Sequence, residues 1–324
     1  MPTAYLVYNP FAGQGINEMI SDTAANVLRD AGWTLHIIEA QDGPHITQLA
    51  RLAAERGIEA FFIAGGDGSM NLAIAGLVNS NTALGVLPAG TANVWAQEIG
   101  LYTLNLLGTM SLASSAQRLA RAQSYAVDVG LCNGRPFLMW AGVGLDAYLV
   151  NRIEPRASWE KYFGVLQYSI SALWNAGYWR GMNLRTQVNG EQINGHYLLA
   201  VVSNVHLYAG GAAEISPSAQ LDDGIMDLWL FKGESLGDTV HMAWDLWIGN
   251  HSKSEQAECI PCTSLVLESD APLYVQVDGE QADEANRVEI QIHSGSLKVL
   301  IPDEAPYPLT DAKDDAHRPG IGEG

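Results

Sequence analysis

Lysine, cysteine and basic residues in general are scarce in this chain. No lysine precedes Lys161 and no Gly-Lys-Ser/Thr triplet occurs, which excludes a P-loop. Only three cysteines are present, so neither a disulfide framework nor a four-cysteine zinc site is expected. Basic residues number 17 against 36 acidic ones, and the net charge of −19 argues against a nucleic-acid partner.

Long apolar runs are missing as well. The sequence has no uncharged apolar stretch of about 18 residues, the length that a membrane span would need. The chain starts directly with a strand-like run at residues 4–8, without a basic segment and an apolar segment before it. These features predict a cytoplasmic protein. Its 324 residues, 48% of them hydrophobic, are enough for two domains.

The pattern of the sequence changes near residue 127. Before that point, short apolar runs near 4–8, 34–38, 60–64 and 84–87 alternate with helical patterns near 18–31, 46–56 and 70–78. This alternation predicts a three-layer α/β domain with a parallel sheet over residues 1–127, which residues 300–308 could complete. Ligands of such sheets bind at the carboxyl ends of the strands.

The second half shows period-two runs separated by Asn-Gly and Asp-Gly pairs. Strands are predicted near 197–203, 226–231, 264–267, 273–277, 288–292 and 297–301. We predict an antiparallel β-sandwich domain over residues 128–300, with an inserted helix near 159–178. The polar residues 306–324 predict a disordered tail.

Two glycine-rich turns follow predicted strands. Residues 65–71 read Gly-Gly-Asp-Gly-Ser-Met-Asn, and residues 88–93 read Pro-Ala-Gly-Thr-Ala-Asn. Glycine lets backbone amides approach phosphate oxygens closely. A carboxylate beside phosphate needs a divalent cation between the two, so Asp67 indicates magnesium. The alternative is that Asp67 caps a helix in a tight strand-to-helix turn.

The two turns resemble the GGDGTxN and GTxN motifs of the diacylglycerol kinase catalytic-domain family. The Asn9-Pro10 turn, the Asp222-Asp223-Gly224 segment and the Asp278-Gly279-Glu280 turn resemble further motifs of that family, in the same order. The resemblance covers about residues 4–302. It implies an ATP- and Mg²⁺-dependent lipid kinase whose substrate, diacylglycerol or a related lipid alcohol, lies at the membrane surface.

The resemblance also implies roles for individual residues. Glu280 is the expected general base, and Asp278 shares its catalytic turn. The expected metal-site residues are Asp67, Asp128 and Asp223. The expected nucleotide-binding residues are Asn9, Gly65, Gly66, Asp67, Gly68, Ser69, Asn71, Gly90, Thr91 and Asn93.

Three departures from the family pattern keep other functions open. The family usually has Lys or Arg a few residues after the Asn-Pro turn, Glu after the first motif and Asp after the second. Here no basic residue follows Gly13 closely, and Leu72 and Val94 occupy the other two positions. One alternative is a lipid-binding or regulatory homologue without turnover. Another is a soluble-substrate kinase similar to NAD kinase, which shares a GGDG turn.

Residues 152–185 combine many aromatic side chains with five basic residues in an otherwise acidic chain. Trp, Tyr and Arg together are typical of membrane interfaces, so we expect peripheral lipid contact here, with Trp174 and Trp179 as candidates. The alternative is that the aromatic stripe packs on the sandwich. The sequence leaves a homodimer open.

Overall fold

The computed structural model of the protein describes residues 1–10, 18–101, 108–153 and 179–303, together with 305, 306 and 309. The predicted helix at 159–178 and most of the predicted tail at 306–324 lie outside the described residues.

The N-terminal half is an α/β unit. Its strands are β1 (Thr3–Tyr8), β2 (Thr34–Glu39), β3 (Ala60–Gly65) and β4 (Ala83–Pro88). Its helices are α1 (Glu18–Asp30), α2 (Gly43–Glu55), α3 (Asp67–Leu77), α4 (Val94–Glu98) and α5 (Gly108–Leu119). The strands are parallel and lie in the order β2-β1-β3-β4, as the alternating pattern predicts.

Burial explains why these segments form a parallel sheet. Every residue of β3 and β4 is buried, as expected for strands covered by helices on both faces. Helix α2 begins at the N-cap Asp42, whose carboxylate accepts a hydrogen bond from the His45 amide at 2.8 Å. Gly76 lets α3 lie directly against α2, because a Cβ at this position would be only 2.6 Å from the Thr47 carbonyl oxygen.

The C-terminal half is antiparallel and rich in strands. Its strands are β5 (Gln123–Cys132), β6 (Arg135–Phe137), β7 (Trp140–Gly144), β8 (Met182–Val188), β9 (Glu191–Ser203), β10 (Leu207–Tyr208), β11 (Ala213–Glu214), β12 (Met226–Lys232), β13 (Ala257–Cys262), β14 (Ser264–Val277) and β15 (Glu280–Ile301). Its helices are α6 (Leu145–Ile153) and α7 (Leu236–Trp247). One hydrophobic cluster is formed by residues of this half alone, and other buried residues of the half join the core of the N-terminal unit. The predicted fold class is confirmed.

Three Asn-Gly or Asp-Gly pairs form two-residue hairpin turns. They are Asn133-Gly134, Asn189-Gly190 and Asp278-Gly279, and both members of each pair have positive φ. That conformation is the one required by a type I′ turn, which favours Asn or Asp followed by Gly. The last of these turns therefore presents the predicted catalytic residues on a rigid loop between β14 and β15.

Strand β15 connects the two halves. It pairs with β14 and β5 in the antiparallel part, and near its end Val299 lies opposite Leu84 of β4 in parallel register. The two predicted strands at 288–292 and 297–301 are thus one long strand with a register shift between His293 and Leu297. The domain boundary at residue 127 stays a prediction. None of the described helices combines the length and the apolar character needed to cross a bilayer.

Candidate active site

The first glycine turn forms the start of α3. Gly66 is the N-cap residue, has an extended backbone and gives the helix no side-chain cap. The first amides of a helix have no partner within the helix, and the helix dipole adds partial positive charge at this end. Residues 67–69 therefore supply backbone donors suited to an anion, at the carboxyl end of β3.

The two glycine turns touch through their backbones. A Cβ on Gly90 would lie 2.5 Å from the Gly66 Cα, so a side chain at that position would force the turns apart. The Ala89 amide donates to the Gly65 carbonyl oxygen at 2.9 Å. The close approach of the two backbones therefore requires glycine at these positions. Glycine would also let a phosphate approach the backbone closely.

Asp67 joins the first turn to the helix that follows the second. Its Oδ2 accepts a hydrogen bond from the Val94 amide at 3.0 Å, and its Oδ1 accepts one from the Trp95 amide at 3.2 Å. The carboxylate thus caps α4, which lies 27 residues further along the chain. Burial raises the pKa of Asp67, and these amide bonds oppose that effect.

The second turn is closed by Asn93. Its backbone is left-handed, with φ of 51°, and its Oδ1 accepts from the Gly90 amide while its Nδ2 donates to the Gly90 carbonyl, each at 2.8 Å. Asn93 itself is buried, whereas Thr91 is exposed. Asn93 and the Gly90 amide therefore shape the turn. Of the three residues predicted here to bind the nucleotide, Gly90, Thr91 and Asn93, Thr91 is the exposed one.

Asn9 and Ser69 meet across two strand ends. The Asn9 amide donates to the Ala64 carbonyl at 3.2 Å, and its side-chain Nδ2 donates to Ser69 Oγ at 3.1 Å. Asn71 is buried on α3, and its Oδ1 has no hydrogen-bond partner among the described residues. A buried acceptor of this kind fits a site that receives a further donor from water or a ligand.

Asp278 anchors the β14–β15 turn. Its Oδ1 accepts from the Met139 and Trp140 amides and its Oδ2 from the Leu138 amide, all at 3.0 Å. The side chain is buried, and burial raises its pKa to about 6, with a smaller contribution from the nearby Asp67 carboxylate. These contacts fix the turn against the start of β7.

The raised pKa of Asp278 predicts a pH-dependent stability. Because the folded protein holds this proton more tightly than the unfolded chain, the free energy of unfolding should fall as the pH rises from about 4 to about 6. The expected loss from this one group is on the order of 2–3 kcal/mol. Denaturant titrations across this pH range measure it. Asp278→Asn should flatten the dependence, whereas Asp270→Asn, at a side chain that is 92% exposed, should not. Equal slopes in all three proteins would contradict the assignment.

A second polar network supports the same turn. The Gly279 amide donates to Gln276 Oε1 at 2.8 Å, and Gln276 Nε2 donates to Asp146 Oδ2 at 2.8 Å. The Tyr208 hydroxyl donates to the same oxygen of Asp146 at 2.9 Å. Gln276 and Tyr208 carry no motif in the sequence, so only their three-dimensional contacts reveal this supporting role.

Glu280 lies against the first glycine turn. It is exposed and begins β15, and a Cβ on Gly68 would be only 2.8 Å from its Oε1 atom. The predicted general base and the uncapped start of α3 are therefore neighbours, although 212 residues separate Gly68 from Glu280 (280 − 68).

Asp128, on β5, bonds to the 222–224 turn that contains Asp223. Asp128 is buried, and its carboxylate accepts from the Gly224 amide at 2.6 Å and from the Gly295 amide at 2.7 Å. Burial raises its pKa. Asp223 Oδ1 accepts from the Ile225 amide at 3.0 Å. Within the described ranges, no three His, Cys, Asp or Glu side chains group closely enough to hold a metal. The structure therefore does not bring Asp67, Asp128 and Asp223 into one cluster.

Comparison with known proteins identifies the family. Residues 3–132 match the model of the diacylglycerol kinase catalytic domain, and residues 140–301 match that of the YegS C-terminal NAD kinase beta sandwich-like domain. The chain belongs to the diacylglycerol kinase catalytic-domain family. The resemblance seen in its motifs is confirmed, and with it the prediction of a phosphotransferase that acts on an alcohol.

Relatives in this family cover most of the chain. A diacylglycerol kinase from Bacillus subtilis is 23% identical over 282 residues, which span 86% of this chain and 90% of the relative. One from Mycobacterium tuberculosis is 27% identical over 300 residues, spanning 91% and 93%. A crystal structure of a diacylglycerol kinase from Bacillus anthracis has a TM-score of 0.71 at 20% identity, covers 94% of this chain and 98% of its own, and shows the same fold.

The residues at the glycine turns fit the nucleotide and the metal that this kinase family implies. Phosphate needs backbone donors without bulky neighbours, and the uncapped start of α3 supplies them beside Gly65 and Gly66. Mg²⁺ in phosphoryl-transfer sites is held by one or two carboxylates, with phosphate oxygens and water completing the shell. Asp67 offers one such carboxylate at the same turn.

Proposed function

We propose that this chain is an ATP-dependent lipid kinase that phosphorylates the hydroxyl of diacylglycerol or a related lipid alcohol. The observation that carries the proposal is the position of Glu280, whose carboxylate lies at the first turn of the uncapped helix α3. A proton acceptor beside an anion-binding helix terminus is the arrangement that phosphoryl transfer to a hydroxyl requires.

The donors of the first glycine turn would hold the phosphates. The amides of residues 67–69 belong to the first turn of α3, at the positive end of its dipole, and the exposed Thr91 lies on the adjoining turn. Asp67 would share the metal ion while it keeps the α4 amides in place. Bound Mg-ATP would supply the phosphoryl group and part of the charge neutralisation.

Glu280 would act as the general base. It would accept the proton of the lipid hydroxyl as that oxygen forms its bond to the γ-phosphorus, while the bond from this phosphorus to the bridging oxygen breaks and ADP leaves. Asp278 would position this base, since its two oxygens accept three backbone amides and hold the β14–β15 turn in place. Gln276 and Asp146 add a second support to the turn. We assign Asp128 and Asp223 to the conformation of the 222–224 turn, with Asp223 retained as a candidate metal ligand.

A transfer assay tests this function. The purified protein is incubated with γ-labelled ATP, Mg²⁺ and mixed micelles of diacylglycerol, and we expect label in the lipid fraction that disappears when EDTA is added. Label on NAD in place of lipid would favour a soluble-substrate kinase, an alternative suggested by the NAD kinase-like description of residues 140–301. Nucleotide binding without transfer to any acceptor would favour a homologue that has lost turnover.

A further inference from the structure

Helix α7 carries an exposed apolar stripe. Its large exposed side chains follow one another at spacings of four, four and three residues, and so share one face. They are Leu236, Val240, Trp244 and Trp247, with Ile248 directly after the helix. The two indoles are 61% and 70% exposed. In the described part of the chain, Met1 is the one other large hydrophobic residue with comparable exposure.

The opposite face of α7 fixes the helix on the protein. Thr239, Met242, Asp245 and Leu246 are buried there, and Ser235 and Asp238 form a capping box at the helix start. The buried face packs against β11. The stripe is therefore presented outward by a helix whose position is set by tertiary contacts, which distinguishes it from a loosely attached apolar segment.

The hairpin beneath α7 is tied to the glycine turns. Strand β11 pairs with β10, where the Leu207 amide donates to Glu98 Oε2 at 3.0 Å. Glu98 ends α4, the helix that Asp67 caps, and Tyr208 of the same hairpin bonds to Asp146. A continuous series of packed elements thus links the stripe to the site.

The composition of the stripe favours a lipid surface. The stripe contains no acid, and the two carboxylates of α7 are both engaged: Asp238 in the capping box, Asp245 buried within 3.5 Å of the His241 imidazole. A chain with net charge −19 gains no general attraction to anionic lipid, so its docking has to come from apolar insertion. Tryptophan with Leu, Val and Ile is the composition expected at the headgroup boundary.

The size of the stripe argues against a stable interface between two copies. A tryptophan offers about 150–250 Å² and the aliphatic side chains less, so the stripe presents on the order of 600 Å² or below. A stable protein–protein interface buries about 800 Å² on each partner. Trp179, one of the two residues expected to contact lipid, is half-buried, and its indole donates to the Leu198 carbonyl at 2.9 Å and packs on Tyr148. The other, Trp174, lies outside the described residues.

We propose that Leu236, Val240, Trp244, Trp247 and Ile248 form a membrane-docking surface that inserts shallowly among lipid headgroups. This inference rests on the proposed function, since the lipid substrate is what brings the enzyme to a bilayer. It places a lipid contact on α7 beside the one that the sequence suggests for residues 152–185, most of which lie outside the described residues.

Vesicle binding tests the surface independently of catalysis. Co-sedimentation with phosphatidylcholine vesicles containing diacylglycerol measures the partition coefficient of the full chain. The double substitution Trp244→Ser and Trp247→Ser should lower the partition coefficient at least about tenfold, because two large apolar side chains are no longer transferred from water into the lipid. The matched variant with Phe at both positions should stay within about threefold of wild type. Val240→Glu provides a second disruption that leaves both indoles intact.

The outcomes separate this inference from the proposed function. Docking is supported if the Ser variant loses vesicle binding but keeps full activity on a dispersed short-chain diacylglycerol. If the wild-type protein itself has no kinase activity, loss of vesicle binding by the Ser variant still supports docking. Unchanged partitioning of the Ser variant and of Val240→Glu overturns it. So does sedimentation showing a wild-type dimer that these variants dissociate while vesicle binding persists, because the stripe would then join two copies of the chain.

Discussion

Replacing Glu280 with Gln is expected to lower kcat by about 10²–10⁴-fold, the usual contribution of a positioned general base. Gln has nearly the same shape and keeps the contact with the first turn of α3, but it cannot accept the hydroxyl proton. Nucleotide affinity should change little, because the predicted phosphate donors are backbone amides of residues 67–69. Initial rates with diacylglycerol micelles, together with a fluorescence titration of ATP, give the two quantities.

Glu284→Gln is the matched control for this substitution. Glu284 is an exposed acid on the same strand, so its replacement makes the same chemical change four residues away from Glu280. Its kcat should equal that of wild type. A Glu280→Gln enzyme that turns over as fast as the Glu284→Gln enzyme would remove Glu280 from the role of base and leave proton transfer to water or to the phosphate itself.

Local sequence patterns were sufficient for most of the fold. The four strands and three helices predicted for the first half lie within a few residues of their predicted positions, because buried parallel strands and amphipathic helices leave strong apolar periodicities. Helices α4 and α5 of the same half were not predicted. The Asn-Gly and Asp-Gly turns were also predictable, since their positive φ values suit few other residue pairs. Helix α7 was not predicted, although the Ser235 and Asp238 capping box is a local signal for its start.

The internal roles of the site residues could not be read from the sequence. Asp67 looks like a free ligand beside glycine, yet its partners are amides 27 and 28 residues away. Asp128 likewise bonds to Gly295, 167 residues away. Such contacts depend on which strands become neighbours in the sheet, and local composition carries no information about that.

The departures at Leu72 and Val94 have a structural account. The Val94 side chain is buried in the core while its amide donates to Asp67, so the position contributes to the site through its backbone. Leu72 packs near Gly43, whose Cβ, if present, would be 3.0 Å from Leu72 Cδ1, and its carbonyl accepts the Thr47 hydroxyl. Each substitution removes a carboxylate that the family usually has, and leaves the backbone donors of the first turn unchanged.

Gly68→Ala is expected to lower activity about a hundredfold without loss of stability. The added methyl would lie 2.8 Å from Glu280 Oε1, the mobile end of a side chain, so the carboxylate moves and the fold does not. Displacing a catalytic group by about 1 Å costs on the order of 10²-fold in rate. Because Gly68 lies in the first turn of α3 and has no positive φ, alanine should stabilise the protein by about 0.4–1 kcal/mol, mainly by restricting the unfolded chain.

Gly237→Ala is the matched control for Gly68→Ala, because it adds the same methyl group to the first turn of a helix without displacing Glu280. Gly237 also lies in the first turn of a helix, but a Cβ there would meet its nearest neighbour, Ser235 Oγ, at an ordinary 3.5 Å. Both variants should unfold at slightly higher denaturant concentration than wild type, and on a dispersed short-chain substrate the Gly68 variant alone should lose activity. Equal activity in the two would mean that Glu280 can leave its place beside α3 at no cost, which contradicts a base held there for catalysis.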